Sequence, residues 1–430
     1  MWFKKIILFN DCLHLHINLF LHLKVVEKMK KNLLLFISLT FSCLMSFSQD
    51  CKTDADLDAA PGKYIIAAQY PWPAVRAEYF SKMTTAADKV IAKQTLEKLE
   101  KAELQSRNNF NLTGGNWENL FVTVGYKYFG NAKLGAFTFE SSLHEYFCAK
   151  GKSVRNSEYS SVLRMYVNAL QLTTLDRFLS SPFGSSFGSY DFGMQYADWK
   201  NHKPADVNAK LIDLFTYISC NNPELLEAIN SGNNYFQDVP EKNIKLNNRS
   251  NSIYRYWFIK KKDLPVLVPV SRKEYLQSLL EYYEREKIYF TKLVAKLKEE
   301  HDNSIKYYNN WETDVADKIA VVKKALAENN EEWLAAQAII NPAAENEKRY
   351  NAHLAEQTNY NRFWKFYDKE NKSVPLYKYN PAYFKNNTSN SAKPQIITIA
   401  FRYVTMPSSL RLLNNFTNNF DFELLKKMVE

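Results

Sequence analysis

Gly184-Ser185-Ser186-Phe187-Gly188 carries the G-x-S-x-G spacing. In hydrolases that use it, the serine stands on a strained turn between a strand and a helix, and backbone amides form an oxyanion hole. The flanks here do not build that elbow. Leu179-Ser180-Ser181-Pro182 is no strand, Ser189-Tyr190-Asp191-Phe192-Gly193 is no helix, and the chain as a whole is no βαβα alternation. Ser186 is therefore read as part of a Gly/Ser-rich loop, not as a nucleophile.

Histidine and cysteine spacing offers little metal chemistry. His144 and Cys148 fall on one strand face, but four residues apart they lie about 13 Å from each other. They cannot share a zinc, whose ligands sit near 2 Å. His301 falls on the apolar stripe of a long helical segment, where a histidine satisfied between helices is the plain reading. No H-E-x-x-H, paired C-x-x-C, P-loop, dinucleotide fingerprint or EF-hand loop occurs. No catalytic residue, metal or cofactor is assigned. Carboxylates scattered through the sequence leave no local spacing to find, so a hydrolase built on them in an unrecognised cleft is kept as the alternative function.

Aromatic residues make up 15% of the chain, with 27 Tyr, 28 Phe and 8 Trp. Flat rings bury area at low entropic cost and suit a sugar- or peptide-binding groove. Tyr254, Tyr256 and Trp257 on one predicted strand, with Tyr190 and Tyr196 beside the Gly/Ser loop, are the candidate ligand-binding residues. The competing reading is that these rings fill the core.

The elements that must position them read as an α+β protein. Pro71-Trp72-Pro73 opens a helix whose apolar residues recur at helical spacing from Phe80 to about Arg107. Alternating runs follow at Leu120–Tyr128, Leu134–Cys148 and Val162–Leu170, joined by turns at Gly130-Asn131 and Lys150-Gly151. A helix followed by three antiparallel strands is the order of cystatin-like and NTF2-like folds, an analogy of topology that carries no function. A helix is expected from about Asp206 to Cys220. Another starts at Asn222-Pro223 and stops at Gly232, and a strand runs from Ile253 to Ile259. Residues 49–260 are thus expected to form one α+β domain.

Residues 261–430 read as mainly helical with a late strand and a last helix. Ser271-Arg272-Lys273-Glu274 is a capping box. Behind it a stripe runs through Leu276, Leu280, Tyr283, Phe290, Val294, Leu297, Ile305, Tyr308, Trp311, Val315, Ile319, Val322 and Leu326, in steps mostly of three and four. An unbroken helix would reach roughly 80 Å, so a bend is expected near Asp302-Asn303 or Asn309-Asn310. The stripe serves a helical hairpin packed on itself or, alternatively, dimerisation through a parallel coiled coil. Asn330 caps a further helix. Gln395–Val404 is a strand that needs a sheet to join, and Asp421 caps the final helix.

An address precedes all this. Lys28, Lys30 and Lys31 flank Met29, an apolar run extends from Leu33 to Met45, and Ser46-Phe47-Ser48 supplies small residues at a signal-peptidase site before Gln49. Residues 29–48 therefore read as a signal peptide, residues 1–28 as a misassigned leader, and the mature chain as exported to the periplasm, outer envelope or medium. A run this short is below the roughly 20 residues of a permanent span, so no transmembrane anchor is expected. Removing residues 1–48 takes six lysines and two acids from the net charge of +10, leaving +6. With 43 Lys to 13 Arg and one basic triplet, Lys260-Lys261-Lys262, nucleic acid is not an expected partner. Three cysteines remain; Cys148 with Cys220, both in ordered segments, is the candidate disulfide, with free buried thiols as the alternative. The function these observations favour is a non-catalytic binding or structural protein whose partner is a glycan, a peptide or another protein.

Overall fold

The computed structural model describes residues 51–69, 82–129, 132–174, 216–237, 252–261, 263–341, 362–368, 373–384 and 391–429. Residues 1–48, the Gly/Ser loop with Ser186, Tyr190 and Tyr196, the Pro71-Trp72-Pro73 start and most of the helix expected from Asp206 lie outside them. The described residues mix helices and strands, an α+β protein.

Along the chain the first elements are helix α1 (Asp54–Ala59), strand β1 (Tyr64–Ile65), helix α2 (Ala86–Ser106) and strands β2 (Gly115–Phe129), β3 (Ala132–Ala149), β4 (Lys152–Arg155), β5 (Ser161–Val167), β6 (Thr173–Thr174) and β7 (Ile218–Ser219). Helix α3 (Pro223–Ser231) precedes β8 (Asn234–Phe236), β9 (Ile253–Lys260) and β10 (Leu267–Pro269). Then come helices α4 (Arg272–Glu299), α5 (Trp311–Glu328) and α6 (Glu331–Ala335), strands β11 (Ile339–Ile340), β12 (Val374–Tyr379) and β13 (Ile396–Tyr403), and helices α7 (Pro407–Asn419) and α8 (Phe422–Val429). Among the described residues after 260, expected to be mainly helical with one late strand, the chain supplies that strand as β13 and three more. Ile218 and Ser219 are extended where a helix was expected. Helix α2 begins at Ala86, where Thr85 accepts the Asp88 N–H at 3.1 Å.

The chain forms two compact units. The smaller holds residues 51–60 and Tyr146–Val154 among the described ones. In it Thr53 and Asp56 cap α1 reciprocally. Lys150 and Gly151, with φ of 53° and 77°, make the tight turn between β3 and β4, a left-handed conformation that glycine adopts without steric cost. Cys51 bonds to Cys148 with their Cα atoms 5.8 Å apart, and the Cys51 N–H donates to the Gly151 carbonyl at 2.9 Å. The disulfide expected between Cys148 and Cys220 is corrected accordingly: Cys220 is a free, buried thiol. Cys51 lies two residues from the predicted new terminus, and it is held by this turn.

In the larger unit the main sheet has the strand order β1-β2-β3-β5-β13-β9-β8. Its neighbours are antiparallel except for β1 on β2. β13 lies between β5 and β9, pairing Ile399 with Met165 on one side and with Trp257 on the other. Side chains alternate across the pleat. Trp117, Phe121, Phe139, Leu163, Met165, Trp257, Ile399 and Phe401 point to the face covered by Leu96 and Leu99 of α2, Phe416 of α7 and Leu425 of α8, and together they form the largest core. A second sheet, β10-β12-β7-β6 with β11 on β12, joins Leu134, Phe258 and Ile396 of the first sheet in another core.

The stripe of the long helical segment packs within the chain. Phe290 and Leu297 of α4 meet Tyr308, Trp311 and Val315, while Leu276 and Tyr283 share a core with Val322. The apolar stripe that a parallel coiled coil would present to a second copy is covered by α5 of the same chain. The break comes where it is expected. Glu300 ends α4, His301 adopts φ 53°, and Asp302 accepts the Ser304 N–H at 2.8 Å to start a 3-10 turn over Asn303–Tyr308. His301 is therefore an exposed turn residue, not the interhelical histidine its register suggests.

Candidate functional site

Strand alternation divides the aromatic residues predicted to bind ligand. Tyr254 and Tyr256 stand half-buried on the face of β9 away from the main core. Their rings are stacked at 5.6 Å with 6° between planes. Tyr256 stacks on Phe258 at 6.0 Å and on Tyr235 of β8 at 6.4 Å. Burial and the neighbouring phenols of Tyr254, Tyr166 and Tyr235 push the Tyr256 hydroxyl above its ordinary range. Trp257 points the other way. It is buried against Phe236, Phe416 and Phe422 and is a core residue, because a period of two puts neighbours on opposite faces.

The same outer face carries ion pairs. Arg155 binds Glu118 through two nitrogens, with Nη2 at 2.7 Å from Oε2. Arg164 pairs with Glu140 and donates to the Tyr159 hydroxyl at 3.2 Å. The guanidinium of Arg402 lies 4.9 Å from the Tyr159 ring centroid. His144 Nε2 is 3.8 Å from Glu118, and burial pushes the imidazole below its ordinary value. In the interior, Glu103 meets Arg107, Trp117 and Asn119, and Glu286 meets Lys318. Glu103, Glu118, Glu140 and Glu286 are thus each held by a cation. Among the described residues no group of three or more His, Cys, Asp or Glu is placed to hold a metal.

A groove of about 510 Å³ lies elsewhere in the larger unit, between the start of α4, one face of α5, α6 and the segment 362–368. Its parts follow from local sequence. Ser271 caps α4 by accepting the Glu274 N–H at 3.2 Å, and Glu274 returns the bond to the Ser271 N–H at 3.0 Å, which fixes Arg272 in the first turn. Val321, Lys324, Ala325 and Glu328 follow at helical spacing on α5. Asn330 accepts the Trp333 N–H at 2.8 Å and so orients the short α6. The segment 362–368 is tied down by the Phe363 N–H donating to Tyr283 Oη at 2.9 Å and the Tyr367 N–H donating to the Ile339 carbonyl at 3.0 Å.

The Arg272 guanidinium sits against two rings, 4.7 Å from the Trp333 centroid and 5.3 Å from that of Phe366. Those rings are 5.5 Å apart, and Phe366 also meets Phe363 at 5.0 Å. Arg272 Nε is buried with no hydrogen-bond partner. Trp364 completes the groove with 42% of its surface exposed. These residues were not anticipated, since they come from separate segments. One local signal was present: Arg362-Phe363-Trp364-Lys365-Phe366-Tyr367 is a dense run of alternating cations and rings. No family model matches the chain, no curated protein matches it, and no solved structure matches its fold.

Proposed function

We propose that this chain is an exported, non-catalytic binding protein whose ligand lies in the groove between the α4–α5 hairpin, α6 and residues 362–368. The observation that carries the reading is the Arg272–Trp333–Phe366 arrangement beside the exposed Trp364. A cation packed against a pair of rings and a partly exposed indole are features of recognition surfaces. Export is supported by the Lys/apolar/Ser-Phe-Ser series and by the Cys51–Cys148 disulfide, since such bonds persist in oxidising compartments. The pairing of Glu103, Glu118, Glu140 and Glu286 with cations speaks against these carboxylates as the acid and base of a hydrolase, because general acid–base work needs a free group near the reacting atom.

Glycan and peptide arrays probed with residues 49–430, beside the same chain carrying Trp364→Ala, test the reading. Binding that the substitution abolishes supports it. Turnover of an arrayed polymer, or labelling of Ser186 by a fluorophosphonate, would replace it with the hydrolase. Intact-mass measurement of exported material is expected to find Gln49 at the N-terminus.

A further inference from the structure

Arg272 is the least satisfied cation of the groove. Lys324 lies 3.8 Å from Glu328 on the same helix, and Lys365 lies over the Tyr367 ring at 4.9 Å. Arg272 has Trp333 and Phe366 together on one side of it, their centroids 5.5 Å from each other, and no carboxylate of the described residues lies within ion-pair distance of it. A guanidinium carries five N–H donors in its plane and cannot shed its charge. With no carboxylate of the chain committed to it, its fork of N–H groups is matched by a carboxylate of the ligand.

The surroundings narrow the ligand further. Trp364 meets the Arg362 guanidinium 5.6 Å from its ring centroid, and the 42% of its surface left exposed is apolar, while Glu328, Asn329 and Asp368 offer acceptors for hydroxyl groups. The backbone of 362–368 has already committed the N–H groups of Phe363 and Tyr367 to Tyr283 and Ile339. An extended peptide seeking a strand edge would not find those donors. A ring with one apolar face, several hydroxyls and a carboxylate meets all three features, and about 510 Å³ falls in the range of roughly 300–1,000 Å³ typical of small-ligand sites. Resting on the binding-protein reading above, we infer that the groove takes a short acidic oligosaccharide, its uronic-acid carboxylate on the edge of Arg272 and a pyranose ring on Trp364.

Titration calorimetry of the chain 49–430 with uronic-acid trimers (galacturonate, glucuronate and mannuronate), the matching neutral hexose trimers, and an acidic peptide containing Phe tests this. At least one uronate trimer is expected to bind, and its neutral counterpart to bind about tenfold more weakly for loss of the charge-assisted bond. Arg272→Lys keeps the charge but not the fork and is expected to weaken the uronate about tenfold. Trp364→Ala, at an exposed position, is expected to weaken acidic and neutral sugars alike by roughly tenfold. Unchanged thermal midpoints of both variants show that they fold. Failure of all three uronates, equal binding of the neutral trimers, or indifference to Arg272→Lys overturns the inference. Binding of the peptide alone also overturns it, while leaving the binding-protein reading intact.

Discussion

Lys318 Nζ donates to both carboxylate oxygens of Glu286 at 2.9 Å, with neither side chain more than 2% exposed. The pair bridges α4 and α5 in the middle of the hairpin, and the Tyr283 ring lies 5.6 Å from the ammonium. Burial drives Glu286 up and Lys318 down from their ordinary values, each opposed by its partner. Removing one member strands the other charge. Lys318→Met is expected to cost about 3–5 kcal/mol, and the double variant Lys318→Met with Glu286→Leu to recover most of it. Denaturant midpoints decide, and a double variant as unstable as the single would mean that the loss does not come from a stranded charge.

Ser271→Ala removes one half of the capping box that places Arg272. A loss of about 1 kcal/mol is expected. Equal urea midpoints for variant and parent would mean that the start of α4 is held by other contacts.

Asp88 joins α2 to a segment some three hundred residues later. Its carboxylate accepts from Ser391 Oγ at 2.7 Å, from the Ala392 N–H at 2.9 Å and from Tyr126 Oη at 2.9 Å. Burial would raise its pKa, but the hydrogen bonds outweigh burial and hold the group below its ordinary value. A depressed carboxylate contributes stability that is complete above its unfolded value of about 3.9 and is lost as pH falls through the folded one. Asp88→Asn turns a donor toward donors, so it is expected to cost about 1–3 kcal/mol at neutral pH. Its stability is expected to fall less steeply than the parent's below pH 4, about the ordinary aspartate value. Parallel acid limbs would remove Asp88 from the account.

His301 holds a left-handed backbone at the hairpin turn without a buried role for its ring. Glycine accepts that conformation freely, and His301→Gly is expected to stabilise by up to about 1 kcal/mol. A destabilised variant would show that the imidazole does more than occupy the turn.

The disulfide assignment has a count attached. Material beginning at Gln49 has three cysteines, and one thiol, Cys220, is expected to react with an aromatic disulfide reagent, only after unfolding. Three reactive thiols would exclude the Cys51–Cys148 bond.

The parts of this fold legible in sequence are those decided within one turn of chain. Ser271 with Glu274, Asn222 with Pro223 and Gly232, and Asn330 before Trp333 all cap helices where their spacing places them, because a cap is a contact between residues three apart. The hairpin stripe was equally plain, although α4 and α5 meet through a turn that puts His301 outside. Alternation alone separates Trp257 from Tyr254 and Tyr256, so grouping the three as one surface overlooked a rule already in hand. Long-range choices left no such mark. Cys51 finds Cys148 across 97 positions, and nothing in the spacing prefers it to Cys220. The groove draws Arg272, Trp333 and Trp364 from separate segments whose approach depends on how the second sheet seats the hairpin.

The position of β13 has a consequence for the order of synthesis. Residues 396–403 lie between β5 and β9, so both of those strands, made far earlier, leave the ribosome with an open edge. Until residues 396–403 emerge the nascent sheet is two unjoined halves, each carrying the kind of edge that invites wrong partners. Pairing across so long a separation is also slow, because loop closure precedes any reward. Under the export proposed above, late closure of the sheet would suit a precursor that threads a membrane as an open chain.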